Sequence, residues 1–441
     1  MRAKFLSTLL VGTLCQIGLA QNFDKTKLDN YFNTLETNNK FMGSVAVSKD
    51  GAIIYSKTVG FSDIENHVKA NDTTKYRIGS ITKTLTAVLV LKAMEENKIK
   101  LNEKLSKYYP TIKNADKITI EDLLYHRSGI HSFTDDEDYE SWSTQSKSKD
   151  ELVSIISKGE SEFEPGSKFA YSNPNFILLS FILQDIYGKS YADLLQEKII
   201  KPIGLSNTYF GNKIETKKNE CYSYSYTKNW SKERETNTSI PMGAGGIVST
   251  STDLTKFSEA LFSGKIISEK SLEMMTTLKD NFGMGIFPLP FYETKGWGHT
   301  GAIDGFSSML VYFPESKVSF ALTSNGVNYN NNTISIAVLS AVFDKPYDIP
   351  DFKTYNVTSE ELDKYLGTYS TNDLPLKLTI TKEGTTLIAQ ATGQQQLPLE
   401  ARGKNVFAFD RAGIVLEFNP EKKTAVLKQG GGKFTFTKEN K

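Results

Sequence analysis

Three short patterns in this 441-residue chain bring together side chains that can do chemistry. Ser80-Ile-Thr-Lys83 sets a hydroxyl and an amine three residues apart, and so on one face of a helix. A lysine beside a serine takes the hydroxyl proton when burial keeps part of the amine neutral, and a helix N-terminus favours the negative charge that develops. Tyr171-Ser-Asn173 supplies a phenol that serves as a base beside a cation, and an amide that both donates and accepts. His299-Thr300-Gly301 lies in the glycine-rich run 296–305 just before a strand. Glycines there let a substrate backbone approach, and a histidine or hydroxyl binds a carboxylate or relays a proton. Each pattern alone is weak. Ser-x-x-Lys recurs at Ser146 and Ser225, and Tyr-x-Asn at Tyr31 and Tyr329. An N-cap serine with a solvated lysine, a tyrosine at a surface turn and a glycine-rich hairpin are the plainer readings of the three.

The elements that must position these residues separate the copies. Only Ser80 opens an apolar helix: Ile81, Leu85, Val88, Leu89, Leu91, Ala93 and Met94 cover most of the circumference of residues 80–97, which predicts a central buried helix. A helical lead-in over 22–40 precedes two β-rich runs, Ser44–Ser48 and Ala52–Val59, around Asp50-Gly51, a hairpin signal. A second hairpin is expected from Phe306–Phe313 and Lys317–Thr323 around Pro314-Glu315-Ser316. Between them, residues 101–290 read as helical patches and polar loops. Thr119-Ile-Glu-Asp122 opens one helix, and the acidic run Asp135–Asp138 reads as a solvated face. Gly243-Ala-Gly-Gly246 lacks the lysine and hydroxyl of a phosphate-binding loop and turns into a further helix. Strands at both ends with helices between predict an α+β domain over 22–345. Residues 346–358 read as a linker with Pro350 in it. Residues 359–441 carry six short β runs separated by turn residues, the pattern of a small all-β barrel or sandwich.

Composition narrows the field. Lys+Arg number 52 and Asp+Glu 51, so nothing suggests a nucleic-acid partner. Residues 1–20 carry Arg2 and Lys4, an apolar stretch and a small-residue end, the pattern of a secretory signal peptide; the expectation is an exported, periplasmic or secreted protein. That stretch is too short to span a bilayer, and no transmembrane helix is expected elsewhere. Cys15 and Cys221 are the two cysteines, too few for a disulfide framework. His67, His126 and His131 form no metal-binding pattern, so neither a metal nor another cofactor is expected. Trp142, Trp230 and Trp297 read as core or rim, with Trp297 near enough to His299 to line a site.

In this order and spacing, the three patterns resemble the penicillin-recognising serine hydrolases, in the branch holding class C β-lactamases, D-alanyl-D-alanine carboxypeptidases, D-aminopeptidases and esterases. Leu123–Ile130, Phe163–Gly166 and Ala244–Thr250 are also similar to that family, and the tail resembles its appended lipocalin-like domain. The resemblance implies a β-lactamase/transpeptidase-like fold, an antiparallel sheet flanked by helices with a helical subdomain. It implies Ser80 as the acylated nucleophile and Lys83 and Tyr171 as proton acceptors. The oxyanion hole would be the Ser80 amide and one from the strand after Gly301. Asn173 would hold the substrate amide and Thr300 a substrate carboxylate. The implied substrate is a small molecule or peptide: a peptidoglycan-type peptide, a β-lactam or an ester. His299 stands where a lysine is usual, and a neutral imidazole anchors a carboxylate less well than an ammonium. This points to a peptidase- or esterase-like enzyme more than a dedicated β-lactamase. The alternative is a catalytically silent penicillin-binding-type receptor or scaffold.

Overall fold

The computed structural model describes residues 23–439, so the expected signal segment and Cys15 lie outside the described residues. Five long antiparallel strands form the body of the eight-stranded main sheet: β1 (Phe41–Lys49), β2 (Ala52–Val59), β3 (Trp297–Ile303), β4 (Phe306–Phe313) and β5 (Val318–Val327). Their order is β3-β4-β5-β1-β2, so the two expected hairpins meet along β1 and β5, in register at Val45↔Leu322. The period of two along these strands explains both faces of the sheet. Val45, Val47, Phe320 and Leu322 pack with Leu28, Phe32, Ile334 and Val338 from α1 (Lys25–Thr37) and α5 (Asn331–Val342). The opposite face carries small residues, including Ala46, Ser319 and Ala321, which let α4 (Ser251–Phe262) come close; Ser258 Oγ lies 2.6 Å from Ser319 Oγ. Thr250 caps α4 by accepting from the Asp253 amide, as the Thr-x-x-Asp spacing allows.

A helical subdomain sits beside the sheet. Its centre is α2 (Thr82–Glu95), in which every residue from Thr82 to Leu91 is buried, packed on α3 (Asn173–Tyr187). The helix begins later than expected: Gly79–Ile81 is a single 3₁₀ turn that presents Ser80 ahead of α2. The Gly243–Gly246 run is not a simple turn. Met242–Gly245 is one helical turn whose Gly243 and Ala244 carbonyls accept from Thr86 Oγ1 and Lys83 Nζ.

Two further differences concern the tail. Residues 346–358 have no helix or strand, but they form a strap anchored by aromatic side chains. Tyr347 takes Lys27 Nζ 4.1 Å above its ring, and Phe352 packs on Tyr329 beneath Lys40 and Arg402. Beyond it lies a closed eight-stranded barrel, two strands more than the six runs expected. The additional strands are Gly367–Ser370, only four residues long, and Leu397–Gly403, which Pro398 disguises. Tyr365, Tyr369, Phe407, Phe418 and Phe436 fill the barrel interior, as eight strands leave room mainly for side chains. The barrel docks through Asp410, which takes Lys40 at 2.6 Å and is held within the barrel by Arg402 at 2.7 Å, and through Arg411, whose Nε donates to Asn328 Oδ1. No helix among the described residues is long and apolar enough to cross a membrane. Cys221 is buried, its Sγ 3.2 Å from the Lys75 carbonyl, and burial pushes the thiol up.

Candidate active site

The site forms where the 3₁₀ turn before α2, the start of α3 and the free part of strand β3 converge. Lys83 is fully buried, and its Nζ has three partners: Ser80 Oγ at 2.9 Å, Asn173 Oδ1 at 2.8 Å and the Ala244 carbonyl at 2.8 Å. Burial pushes the Lys83 ammonium well below the usual lysine range. The three partners can accommodate either protonation state. An ammonium donates to all three oxygens. A neutral amine has two N–H bonds and a lone pair; the carbonyl oxygens of Asn173 and Ala244 can only accept, so the lone pair faces the one partner able to donate, the Ser80 hydroxyl.

Asn173 is held at both ends. Its Oδ1 accepts from Lys83, its Nδ2 donates to Thr134 Oγ1 at 3.0 Å, and its amide donates to Ser132 Oγ at 3.3 Å. In this state the side chain orients Lys83, and binding a substrate amide requires an exchange of partners. Tyr171 is partly exposed and lies with its ring 4.8 Å from Lys83 Nζ. Burial raises its phenol above the ordinary tyrosine value, and the Ser80 hydroxyl draws it partly back, so the resting tyrosine keeps its proton.

Strand β3 alternates around the nucleophile. His299 and Gly301 face inward and are buried, while Thr300 and Ala302 are exposed. A side chain at Gly301 would put Cβ 2.1 Å from the Ile78 carbonyl and 3.0 Å from the Ser80 amide nitrogen. Gly79, at φ +50°, would place a Cβ 2.7 Å from the Ala302 amide nitrogen. Two glycines therefore bring the backbone at Ser80 against the backbone at Ala302, the pairing needed for an oxyanion hole. His299 packs on Phe287, and its Nδ1 donates to the Thr300 carbonyl at 2.5 Å. Burial, with the nearby Lys83 charge, holds its pKa down to about 3, so the imidazole is neutral at ordinary pH and supplies no charge to a carboxylate. Thr300 lies one residue from this position on the open side of the strand.

The sequence patterns assign no role to His126, Ser132, Thr134 or Ala244, yet all four support the site. His126 stacks on Tyr171 with ring centroids 4.3 Å apart, and its Nδ1 accepts the Ser172 amide at 3.1 Å. Its carbonyl accepts from the Ala170 amide, so one residue grips the segment on both sides of Tyr171. An accepting Nδ1 leaves the imidazole neutral, in accord with burial and the Lys83 charge, which hold its pKa well down. Resemblance over Leu123–Ile130 marks this region in the sequence, but a stacked ring has no spacing signature. Ala244 contributes only a carbonyl, which no side-chain pattern reveals. Ser80, Asn173, Ala244 and Ala302 open onto one cleft of about 640 Å³. Among the described residues no cluster of His, Cys, Asp and Glu is arranged to hold a metal ion.

The Beta-lactamase family model matches residues 29–342. Teichoic acid D-alanine hydrolase of Staphylococcus aureus is 31% identical in strain MRSA252 over 263 residues, 59% of this chain and 63% of that protein. A second form from the same species is 30% identical over 310 residues, 68% of this chain and 74% of that protein. The chain thus spans under two thirds of the first relative's length. Among solved structures, the octameric penicillin-binding protein homologue from Pyrococcus abyssi has a TM-score of 0.66 at 22% identity, covering 94% of this chain and all of that one, and shares the fold. A D-stereospecific amidohydrolase from Streptomyces sp. has a TM-score of 0.59 at 28% identity, covering 68% of this chain and 94% of its own. The chain belongs to the Beta-lactamase family.

Proposed function

We propose that this protein is an exported serine hydrolase that releases a D-amino-acyl group, such as D-alanyl, from an ester or amide through an acyl-enzyme on Ser80. The observation that carries the reading is the pair of obligate acceptors on Lys83, which leaves the lone pair of a neutral amine facing Ser80 at 2.9 Å. Ser80 Oγ attacks the substrate carbonyl as Lys83 takes its proton. The carbonyl oxygen gains charge against the backbone amides of Ser80 and Ala302. The C–O or C–N bond to the leaving group breaks, and the proton on Lys83 passes to the leaving atom by way of the Tyr171 hydroxyl. Water then attacks the acyl-enzyme, gives up a proton along the same route, and frees the acid and Ser80. A base of lowered pKa and a phenol that keeps its proton suit these separate roles. The D-amino-acyl preference draws on the named activities of the relatives, and export on residues 1–20. The expected result is a fluorophosphonate adduct on the wild type and D-alanine release from a D-alanyl ester, both absent in Ser80→Ala. An adduct of equal yield on Ser80→Ala, read by intact mass, refutes the proposal.

A further inference from the structure

Arg77 stands three residues before Ser80, and Asp304 two residues after Ala302, so each belongs to one of the segments that supply the oxyanion-hole amides. A buried ion pair joins them: Arg77 Nη1 donates to Asp304 Oδ2 at 3.2 Å, with the two side chains 3% and 2% exposed. Arg77 Nη1 also donates to the Thr236 carbonyl at 2.6 Å. Its Nη2 donates to Glu235 Oε1 at 2.6 Å and to the Asn212 carbonyl at 3.0 Å. Asp304 Oδ1 in turn accepts from the Thr236 hydroxyl at 2.6 Å and from the Thr236 amide at 3.1 Å. Arg77, Asp304 and Thr236 thus close a ring of hydrogen bonds, in which Thr236 gives to the carboxylate and takes from the guanidinium. Asp304 begins the tight turn between β3 and β4 at φ +51°, a conformation aspartate adopts more readily than most residues.

A buried ion pair is a poor source of stability, because taking two charges out of water offsets most of their attraction. What it adds here is a fixed distance between the elements that carry it. Tyr76–Arg77 is a strand of a separate three-stranded sheet, so no ladder of backbone bonds sets its distance from β3. Side chains do so instead. The Ser308 hydroxyl donates to the Ile78 carbonyl at 2.8 Å and ties β4 to the segment that leads into Ser80. The Arg77–Asp304 pair ties the same two units on the far side of the glycine contact between Gly301 and the Ser80 backbone.

Resting on the acyl-enzyme reading above, we infer that Arg77 and Asp304 are positioning residues, whose ion pair holds the Ser80 and Ala302 amides at the separation an oxyanion needs. Neither residue touches the reacting atoms; the bond-making steps belong to Ser80 and Lys83. The pair acts on the transition state alone, because the two amides are called on fully only when the carbonyl oxygen gains its charge. Loosening the pair therefore lowers kcat and leaves substrate binding in place.

The test compares the full wild-type chain with Asp304→Asn and Arg77→Lys. Asp304→Asn leaves the buried guanidinium with Glu235 and two carbonyls. Arg77→Lys keeps the charge and loses the fork that spans its partners. Two things are read for each protein: kcat and KM on D-alanine methyl ester, and the inhibition constant of phenylboronic acid. The boron takes the Ser80 oxygen as its fourth ligand, and the resulting anion sets a hydroxyl where the oxyanion forms. The expected result is a kcat lower by about tenfold, a KM within about twofold of wild type, and boronate inhibition weakened by the same factor as kcat. A fall in kcat with unchanged boronate inhibition overturns the inference, as does a change in KM alone or no change at all. So does an Asp304→Asn that turns over faster and binds the boronate more tightly, since the charge of the carboxylate, rather than its hold on Arg77, would then govern the site. Each comparison is made within one protein, so a single variant that melts like wild type is enough to decide. Ester turnover that survives in Ser80→Ala, or a wild type that the boronate does not inhibit, overturns instead the acyl-enzyme reading on which the inference rests.

Discussion

The floor and the rim of the cleft are built on opposite principles. At the floor, Lys83 has no exposed surface, every contact of its Nζ is fixed, and His126 and His299 are held neutral by burial. At the rim, Glu137 and Glu233 stand in or near solvent with no ion-pair partner among the described residues. The floor moves a proton, which needs an amine shifted from its usual range and a lone pair with one direction to point. The rim keeps its charges ionised, which needs a place that water still reaches. A single polar, half-dry cleft would do neither well: the lysine would stay protonated, and the carboxylates would be costly to bury.

The largest effects should come from breaking the floor. Lys83→Met removes the base and should lower kcat/KM by about 10³-fold on a neutral ester. In the wild type the same rate should rise with pH through the lowered lysine pKa and then level, and Lys83→Arg should be slow and flat over that range. The stability trend has a fixed sign. With the folded pKa below the unfolded one, the unfolded chain binds more protons between the two values, so stability climbs as pH rises through that window. Denaturant midpoints measured across pH should show this climb, and Lys83→Met should lose it. Next in size is Gly301→Val. Its Cβ would clash with the Ile78 carbonyl and push β3 from Ser80, and a displacement of about 1 Å should cost roughly 10²-fold in kcat. Retained activity with an unshifted Tm would remove the close backbone approach from the mechanism.

Smaller effects test what surrounds the floor. His126→Phe preserves the stack on Tyr171 but leaves the Ser172 amide without its acceptor, a loss of about 1–3 kcal/mol for a buried donor. We expect kcat to fall about tenfold while KM changes little; equal changes in both would assign His126 to substrate binding. The smallest effect is expected at His131, which touches Glu162 and the cleft-lining Asp136. Hydrogen bonds to Asp136 and then Glu162 raise its pKa. Its contribution is therefore full below the ordinary histidine value and is lost as pH rises through the raised one. Thermal melts of His131→Gln should sit at most about 1–2 °C below wild type in mild acid and coincide with it in mild base.

Much of this arrangement can be traced in the sequence, and what escapes does so for physical reasons. The hairpins at Asp50-Gly51 and Pro314–Ser316, the buried run after Ser80 and the β-rich tail all carry local periodicity, and all are elements of the structure. The three motifs converge because each ends or begins one of these elements. Thr300 departs from that convergence: a period of two turns it to the open side of β3 while His299 and Gly301 face in. Barrel strands Gly367–Ser370 and Leu397–Gly403 were obscured by brevity and by Pro398, since pairing across a closed barrel overrides weak local preference. The acidic run at 135–138 reads as a solvated face and is exposed, but its partners in the rim, Glu233 and Asp304, come from distant segments. Electrostatic character of that kind belongs to the assembled surface and has no linear signature.

Cys221 offers a use unrelated to catalysis. In a chain without residues 1–22 it is the single thiol, and it is shut inside the fold against the Lys75 carbonyl. A thiol reagent can reach it only when the segments joining Lys75 and Cys221 part. Its labelling rate in native buffer would therefore be a clock for opening of the catalytic domain, one that runs without denaturant and does not register loosening confined to the barrel.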